Sequence, residues 1–368
     1  MTTVDTTAAP QTDPREALAE TLVAGTAAGF EMLAVWLGLR LGLYSSLAEA
    51  PGTPSEVASR AGVDARYARE WLEQQAASGI LAVDDPTRGP DQRRYSLDES
   101  HREVLLDSTS PFHAAPMTMA LASIGSVLQK LVHAYRTGAG VEFADYGDEI
   151  RDHIESLNRP MFEHELADTW IPAAPGLAER LAADPPARVL DVACGSGWSS
   201  VHLARAYPKI RVDGLDADAG SINRAQDNAV EAGVADRVTF RVADAADDTG
   251  PERVYDAAVM FEALHDVPHP VDVLAAIRRQ LTDDGVVLIG DVRAGEEFTA
   301  PGDDLDRLYY GFSLLHCLPA SRTGTHSAAT GAVLRPDTLR DYARQAGFAD
   351  VRVLDIENDF WRFYLLAG

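Results

Sequence analysis

Cysteine is almost missing from this 368-residue chain: only Cys194 and Cys317 occur. Two lone thiols cannot build a disulfide framework or a cysteine-rich metal site, and their scarcity fits a reducing compartment. Basic residues are also short, 32 against 57 acids, which leaves a net charge of −25. Such a surface repels nucleic acid and acidic membranes, so neutral or cationic small molecules are the easier partners. No long apolar run is free of charge either. The most apolar stretch, residues 22–43, carries Glu31 and Arg40, so no membrane span is expected. Residues 1–15 lack a positive segment followed by an apolar run; they read as a disordered tail without a signal peptide, and the location expected is cytoplasmic. What the chain does have is apolar residue, 46% of the total, enough for a substantial core shared by two or three domains.

The most informative stretch is residues 188–208. Residues 189–193 read as a short buried strand, Gly195-Ser196-Gly197 as a tight turn, and 198–207 as a helix. Glycines at such a turn let a ligand approach the main chain, and the helix start offers free N–H groups. A dinucleotide fingerprint needs glycine at the first, third and sixth positions, and the sixth from Gly195 is Ser200. The carboxylate of Asp191, one turn earlier, would repel a pyrophosphate but could pair with an amino group, and S-adenosylmethionine (SAM) carries one. A second strand, 210–215, ends in Asp216, where a carboxylate can accept both ribose hydroxyls of either cofactor. A third, 238–242, leads to Asp244-Ala245, placed for an adenine amino group. A fourth, 254–260, runs into Phe261-Glu262-Ala263-Leu264-His265-Asp266.

Over residues 187–368 these motifs, in this order, resemble the class I SAM-dependent methyltransferases. That resemblance implies SAM as cofactor, held by Asp191, Ala193, Gly195, Gly197, Asp216, Ala217, Asp244, Ala245 and Phe261. Ala193 departs from the glycine often found there. Leu264-His265-Asp266 is similar to the Leu-His-Asp-Trp run in which plant-type O-methyltransferases carry their catalytic histidine, with Val267 in place of the tryptophan. The resemblance implies His265 as general base and Asp291, after the fifth strand, as the acid that orients it; Glu262 could instead contact the acceptor or His265. His265 and His269 are four apart, but Pro268 disrupts any helix that would align them, so no metal is expected.

Upstream, residues 16–50 read as one or two helices that are apolar nearly all round, through Phe30, Leu33, Trp36 and Leu37. Such a helix needs covering from more than one side, and a second copy of the chain is the natural cover. Thr53 caps a helix with Pro54 at its first position, a second helix spans 64–78, and strands at 80–83 and 94–97 complete a winged helix-turn-helix pattern. Acids outnumber bases between residues 51 and 100, contrary to a DNA reader. The resemblance agrees, since antibiotic-pathway O-methyltransferases carry a winged helix that serves dimerisation. An actinobacterial group of that architecture also shows the Ser-Ala-Ala-Thr-Gly-Ala-Val-Leu-Arg-Pro stretch found at 327–336.

The fold class expected is therefore α/β: a Rossmann-like seven-stranded SAM-binding domain over 185–368 and a helical winged-helix dimerisation domain over 16–105. Between them, 106–184 reads as helical, kinked at Pro160, and placed to roof the acceptor pocket with Met117, Met161, Phe162 and Trp170. Residues 293–331, with few regular signals but many aromatics, read as a substrate lid offering Tyr309, Phe312 and His316. The function expected is methyl transfer to a small, fairly apolar acceptor, a hydroxyl of a secondary metabolite ahead of nitrogen or carbon. A SAM-binding winged-helix regulator is the alternative from another class.

Overall fold

The computed structural model describes residues 13–368, so most of the expected tail lies outside the described residues. Two compact units divide after Ala122. In the first, α1 (Pro14–Arg40) starts earlier than expected because Asp13 caps it, accepting the Arg15 N–H at 2.9 Å. After α2 (Leu43–Glu49), the winged-helix pattern appears as read. Thr53 and Glu56 close a capping box on α3 (Pro54–Ala61), Gly62 ends it at φ +69°, and Asp64 caps α4 (Ala65–Ala77). The wing strands are short, β1 (Ala82–Val83) and β2 (Tyr95–Ser96), and α5 (Glu99–Leu106) follows. Trp71, Tyr44, Leu72 and Tyr95 form the centre of this unit's core. Trp71 also donates its indole N–H to the Ala34 carbonyl at 2.8 Å, anchoring the C-terminal half of α1. Most of α1 is bare: Leu18, Leu22, Val23 and Phe30 are all exposed. By length and composition α1 is long and apolar enough to cross a membrane, contrary to the reading of 22–43.

Helix α6 (Pro116–Thr137) carries the chain across the boundary of the units. The second unit continues with α7 (Gly147–Met161), α8 (Ile171–Ala173) and α9 (Leu177–Ala182). Pro160 lies inside α7, and the backbone widens into a π-helical segment, Phe162–Trp170, directly after it. Proline lacks the N–H that would close the regular turn, so the expected kink takes the form of a local widening.

The sheet unit follows: β3 (Arg188–Val192), α10 (Trp198–Ala206), β4 (Arg211–Asp216), α11 (Ala219–Glu231), β5 (Val238–Val242), β6 (Tyr255–Phe261), α12 (Pro270–Gln280) and β7 (Leu281–Val292). Then come α13 (Asp304–Phe312), α14 (Leu318–Ser321), α15 (Pro336–Gln345), β8 (Asp350–Val353) and β9 (Trp361–Ala367). Seven strands lie in the order β5-β4-β3-β6-β7-β9-β8; β3 to β7 are parallel, and β9 runs antiparallel between β7 and β8. The middle of the expected irregular lid is helical, since α13, a π segment Ser313–Cys317 and α14 follow one another without a break, while its two ends are irregular.

Side chains alternate between two cores. Ala257, Val259 and Phe261 of β6 join one cluster, and Ala258 and Met260 the other. Phe363 and Leu365 of β9 repeat this against Tyr364 and Leu366. Period-two alternation with both faces buried is what a sheet covered on both sides requires. Trp170 sits in the first cluster, fully buried, 4.8 Å from the Phe363 ring centre and 5.4 Å from Trp361. That placement corrects the expectation that Trp170 lines the acceptor pocket. Trp170→Ala is therefore expected to cost about 3–5 kcal/mol in urea unfolding, with cofactor affinity unchanged; a cost below about 1 kcal/mol would remove it from the core.

Candidate active site

The strand order reverses at β3, whose neighbours β4 and β6 continue to opposite sides, and ligands of open α/β sheets bind beyond the carboxyl ends at such a point. There the chain turns sharply, with Ala193 at φ +55°, Gly195 at +53° and Gly197 at +78°. Alanine in the left-handed region costs about 1 kcal/mol or more, a strain that glycine would avoid at position 193. Gly197 is required twice over. Besides its φ, a Cβ there would lie 2.6 Å from Phe240 and 2.9 Å from the Ala225 Cβ.

Asp216, at the end of β4, accepts the Gly195 N–H at 2.9 Å and the Asp218 N–H at 2.8 Å, so it fixes the glycine turn as well as facing the cavity. Asp191 is buried and accepts hydroxyl protons from Ser199 at 2.5 Å and Ser200 at 2.6 Å. Burial pushes its carboxyl up to about 6 against the pull of those hydroxyls. The serine that breaks the dinucleotide fingerprint thus has a structural use.

A cavity of about 480 Å³ opens beside this turn, within the range of small-molecule sites. Asp191, Ala193, Gly195, Asp216 and Ala217 line one part of it, and Asp244, Ala245 and Phe261 continue the wall. Of the cofactor residues expected from sequence, Gly197 alone is absent from the lining. Helix α7 closes the cavity with residues that sequence reasoning missed. Arg151 forks onto Asp218 with two bonds of 2.7 Å. Burial would raise the Asp218 carboxyl, but that fork and the Ser221 N–H hold it down at about 2. Glu155 accepts the Trp198 indole N–H at 2.9 Å, and the Arg159 guanidinium lies 3.8 Å from the Trp198 ring centre. Arg224 reaches Asp152 at 2.6 Å. A pattern of acids and arginines along 147–161 was the available signal; their partners in α11 could not be paired from sequence.

At the other end of the cavity, Glu262 is the first residue beyond β6, at φ +50°, with its N–H donated to the Gly290 carbonyl at 2.7 Å. Its carboxylate lines the cavity and accepts from the Asn158 amide at 2.6 Å; burial pushes it up to about 7, over the lowering effect of that bond. Asp266 also lines the cavity. His265 does not. Its ring is 2% exposed, with Nδ1 2.6 Å from Asp291 Oδ1 and Nε2 3.3 Å from Asp266 Oδ1. Burial alone would lower its pKa, but Asp266 and Asp291 outweigh it and raise the value well above 6.5. Carboxylates face both ring nitrogens and the ring lies outside the cavity lining, so the pairing expected with Asp291 is present while Nε2 points at Asp266 and not into the cavity.

The expected acceptor-lining residues are mostly elsewhere. Phe162 does line the cavity. Met117 is half-buried in the first unit, and Met161 packs on the core. Tyr309 is buried with its hydroxyl on the Phe360 carbonyl at 2.5 Å, Phe312 stacks on His153 at 5.6 Å, and His316 is buried against Tyr146 at 4.6 Å. The 327–336 stretch is tied to the post-β6 loop, where Ala328 N–H donates to the Pro268 carbonyl at 2.8 Å.

Comparison with known proteins agrees with this geometry. Residues 189–285 match a methyltransferase domain, and residues 29–106 match an Rv2258c-like winged HTH domain. The 27-O-demethylrifamycin SV methyltransferase of Amycolatopsis mediterranei is 33% identical over 153 residues, 40% of this chain and 55% of that protein. The chain therefore spans only about half the length of that relative, and 36% of an uncharacterised Synechococcus protein. The ubiquinone biosynthesis O-methyltransferase of Paracidovorax citrulli is 30% identical over 218 residues, 58% of this chain and 83% of that one. The N,N-dimethyltransferase OxyT of Streptomyces rimosus is 26% identical over 303 residues, 80% of this chain and 84% of that one. Among solved structures, PigF with SAH aligns with a TM-score of 0.73 at 19% identity, covering 97% of this chain and 100% of that one. The mitomycin 7-O-methyltransferase MmcR aligns at 0.70 and 18% identity, covering 96% and 99%. At these identities the two structures show a shared fold.

Glu262 gives a test that needs no ligand. Its folded-state pKa, about 7, lies above its ordinary 4.5, so between those values the folded protein holds a proton that the unfolded chain has lost. Stability from this group is full below pH 4.5 and falls as pH rises toward 7. Glu262→Gln should therefore gain stability relative to the unmodified protein across that window, by up to about 1.4 kcal/mol per pH unit. Parallel pH profiles of the two proteins in urea unfolding would contradict the raised value.

Proposed function

Because this chain belongs to the class I SAM-dependent methyltransferases, we propose that it transfers the methyl group of SAM to a hydroxyl of a small, fairly apolar acceptor in secondary metabolism. The observation that carries this reading is the single cavity wall that runs from Asp216 and Asp244 to Glu262 and Asp266. The residues fit the cofactor. Asp191 is a buried carboxylate suited to an ammonium, Asp216 keeps lone pairs for ribose hydroxyls, and Asp244 is exposed at the adenine end. When bound, SAM supplies a methyl carbon on a positive sulfur, already activated for in-line displacement. The protein's task is then to place the acceptor oxygen and remove its proton.

Glu262 is the group placed to take that proton. It lines the cavity, and a pKa of about 7 suits a base working near neutrality. His265 and Asp291 act behind it. Held between two carboxylates, His265 fixes the backbone of the Glu262–Asp266 loop, since Asp291 also accepts the His265 N–H at 3.3 Å. In this reading His265 is a positioning residue. Amine methylation is the second reading, supported by the long match to OxyT and by the carboxylates of Glu262 and Asp266, which would attract an ammonium.

A homodimer through α1 belongs to the same proposal. Leu18, Leu22, Val23 and Phe30 leave its surface uncovered from the first turns to past the middle, and a second α1 supplies the matching apolar surface. Arg66 and Arg69 of α4 are engaged with Glu70 at 2.5 Å and Asp91 at 3.0 Å, a pattern unlike a phosphate-binding face.

Calorimetric titration of SAM and S-adenosylhomocysteine should show binding that Asp216→Ala removes; no binding to the intact protein would overturn the proposal. With phenolic acceptors, Glu262→Gln should lower kcat by about 10²–10⁴ and abolish the rise in rate through pH 7, whereas an unaltered pH profile would exclude Glu262 as base. Sedimentation should give a dimer; a monomer in buffer, or partition of the chain into detergent, would refute α1 as the self-association surface.

A further inference from the structure

His265, Asp266 and Cys317 come together beneath the floor of the cavity, and proton removal by Glu262 leaves the Cys317 thiol unused. One ligand-type atom from each lies within 4.8 Å of the others. We propose that these three side chains bind a thiophilic divalent cation, Zn2+ in the first instance.

The donor set is the first argument. Imidazole, thiolate and carboxylate together suit zinc, whereas magnesium and calcium prefer oxygen ligands. Spacing is the second. Bonds of about 2.0–2.3 Å in a tetrahedral site place ligand atoms roughly 3.3–3.8 Å apart. His265 Nε2 and Asp266 Oδ1 already stand at 3.3 Å, so closing the site needs a shift of about an ångström by the sulfur.

The third argument is that the donor atoms converge on one point, with the Cys317 thiol also 3.5 Å from His316 Nδ1. Asp266 Oδ1 is buried and accepts no hydrogen bond, although Nε2 is so near. Behind the histidine, Asp291 holds Nδ1 at 2.6 Å. A carboxylate on the far nitrogen is the usual support of a metal-bound histidine, because it fixes the ring and leaves Nε2 for the metal. Cys317 ends the π-helical segment Ser313–Cys317, a backbone form often found where a side chain must be aimed at a site.

The cation has a way in and a balanced exchange. Asp266 lines the cavity, while His265 and Cys317 are only 2% and 5% exposed below it. One Zn2+ replaces the Nε2 proton of the imidazolium and the S–H proton of the thiol, so the net buried charge is unchanged. The site differs from the His265–His269 pair that Pro268 rules out, because its third ligand comes from a helix far along the chain.

The test uses the full-length, untagged chain after chelation, without SAM or acceptor, and so is independent of methyl transfer. Co2+ is titrated as the optical probe, and bound Zn2+ is counted by mass spectrometry. One ion per chain is expected, with a near-ultraviolet thiolate-to-cobalt band. Cys317→Ser should abolish that band, and Asp266→Asn should weaken binding by at least about tenfold. Glu262→Gln should bind as the unmodified protein does. Circular dichroism of each variant separates lost binding from lost folding, and Asp266→Asn, half-exposed and isosteric, keeps the test sound if Cys317→Ser does not fold. Absence of saturable binding, or binding untouched by both substitutions, would overturn the assignment.

Discussion

The hydrogen bond from the Gly195 N–H to the Asp216 carboxylate is the constraint from which the site is built. It joins the turn after β3 to the end of β4, and it is possible only because the turn enters the left-handed region at Ala193, Gly195 and Gly197. With the turn fixed, α10 starts where Ser199 and Ser200 can reach back to Asp191, and Trp198 faces α7. One carboxylate thus orders the loop, the helix start and the lid over them. The same carboxylate lines the cavity.

The second theme is the handling of negative charge. A chain of net charge −25 gathers Asp191, Asp216, Asp218, Glu262 and Asp266 around one cavity, where mutual repulsion and desolvation would be severe if each stood alone. Three devices share the load. Arg151 neutralises Asp218, backbone and serine donors satisfy Asp216 and Asp191, and the raised pKa of Glu262 lets it remain protonated part of the time. The imidazolium of His265 between Asp266 and Asp291 is a fourth. Removing a group from such a network leaves its partner's charge buried and unpaired.

Much of this was legible in the sequence where the signal is local. The glycine turn, the acids at the strand ends, the cap at Thr53 and the seven strands all rest on short-range patterns, and the structure shows them with small shifts of boundary. The same patterns hid what depends on partners far away. Nothing near Arg151 announces Asp218, and nothing near Asn158 announces Glu262, because those pairs form only when α7 crosses the ends of β4 and β6. Aromatic residues misled for a related reason: Trp170, Tyr309 and Phe312 have the composition of a pocket wall, but composition does not distinguish a wall from a core. The 293–331 segment read as irregular because the π-helical step at 313–317 breaks the 3.6-residue period on which helix recognition depends.

His265 stands where the motif places it, with its ring enclosed by carboxylates. Leu264-His265-Asp266 places a histidine one strand end from the cofactor turn, and Asp291 meets it as the resemblance implies. Yet the neighbouring acid in the motif also turns inward, so both ring nitrogens face carboxylates and the ring is sealed from the cavity. The histidine is held by Asp291 at the end of the neighbouring interior strand β7, and Glu262, at φ +50° just after β6, lines the cavity. A bulky residue at φ +50° is held there by the surrounding structure, here by the Gly290 carbonyl and the Asn158 amide, and such strain collects where a side chain has to be aimed. The histidine is thus buried beneath the loop while the glutamate at its bend lines the cavity.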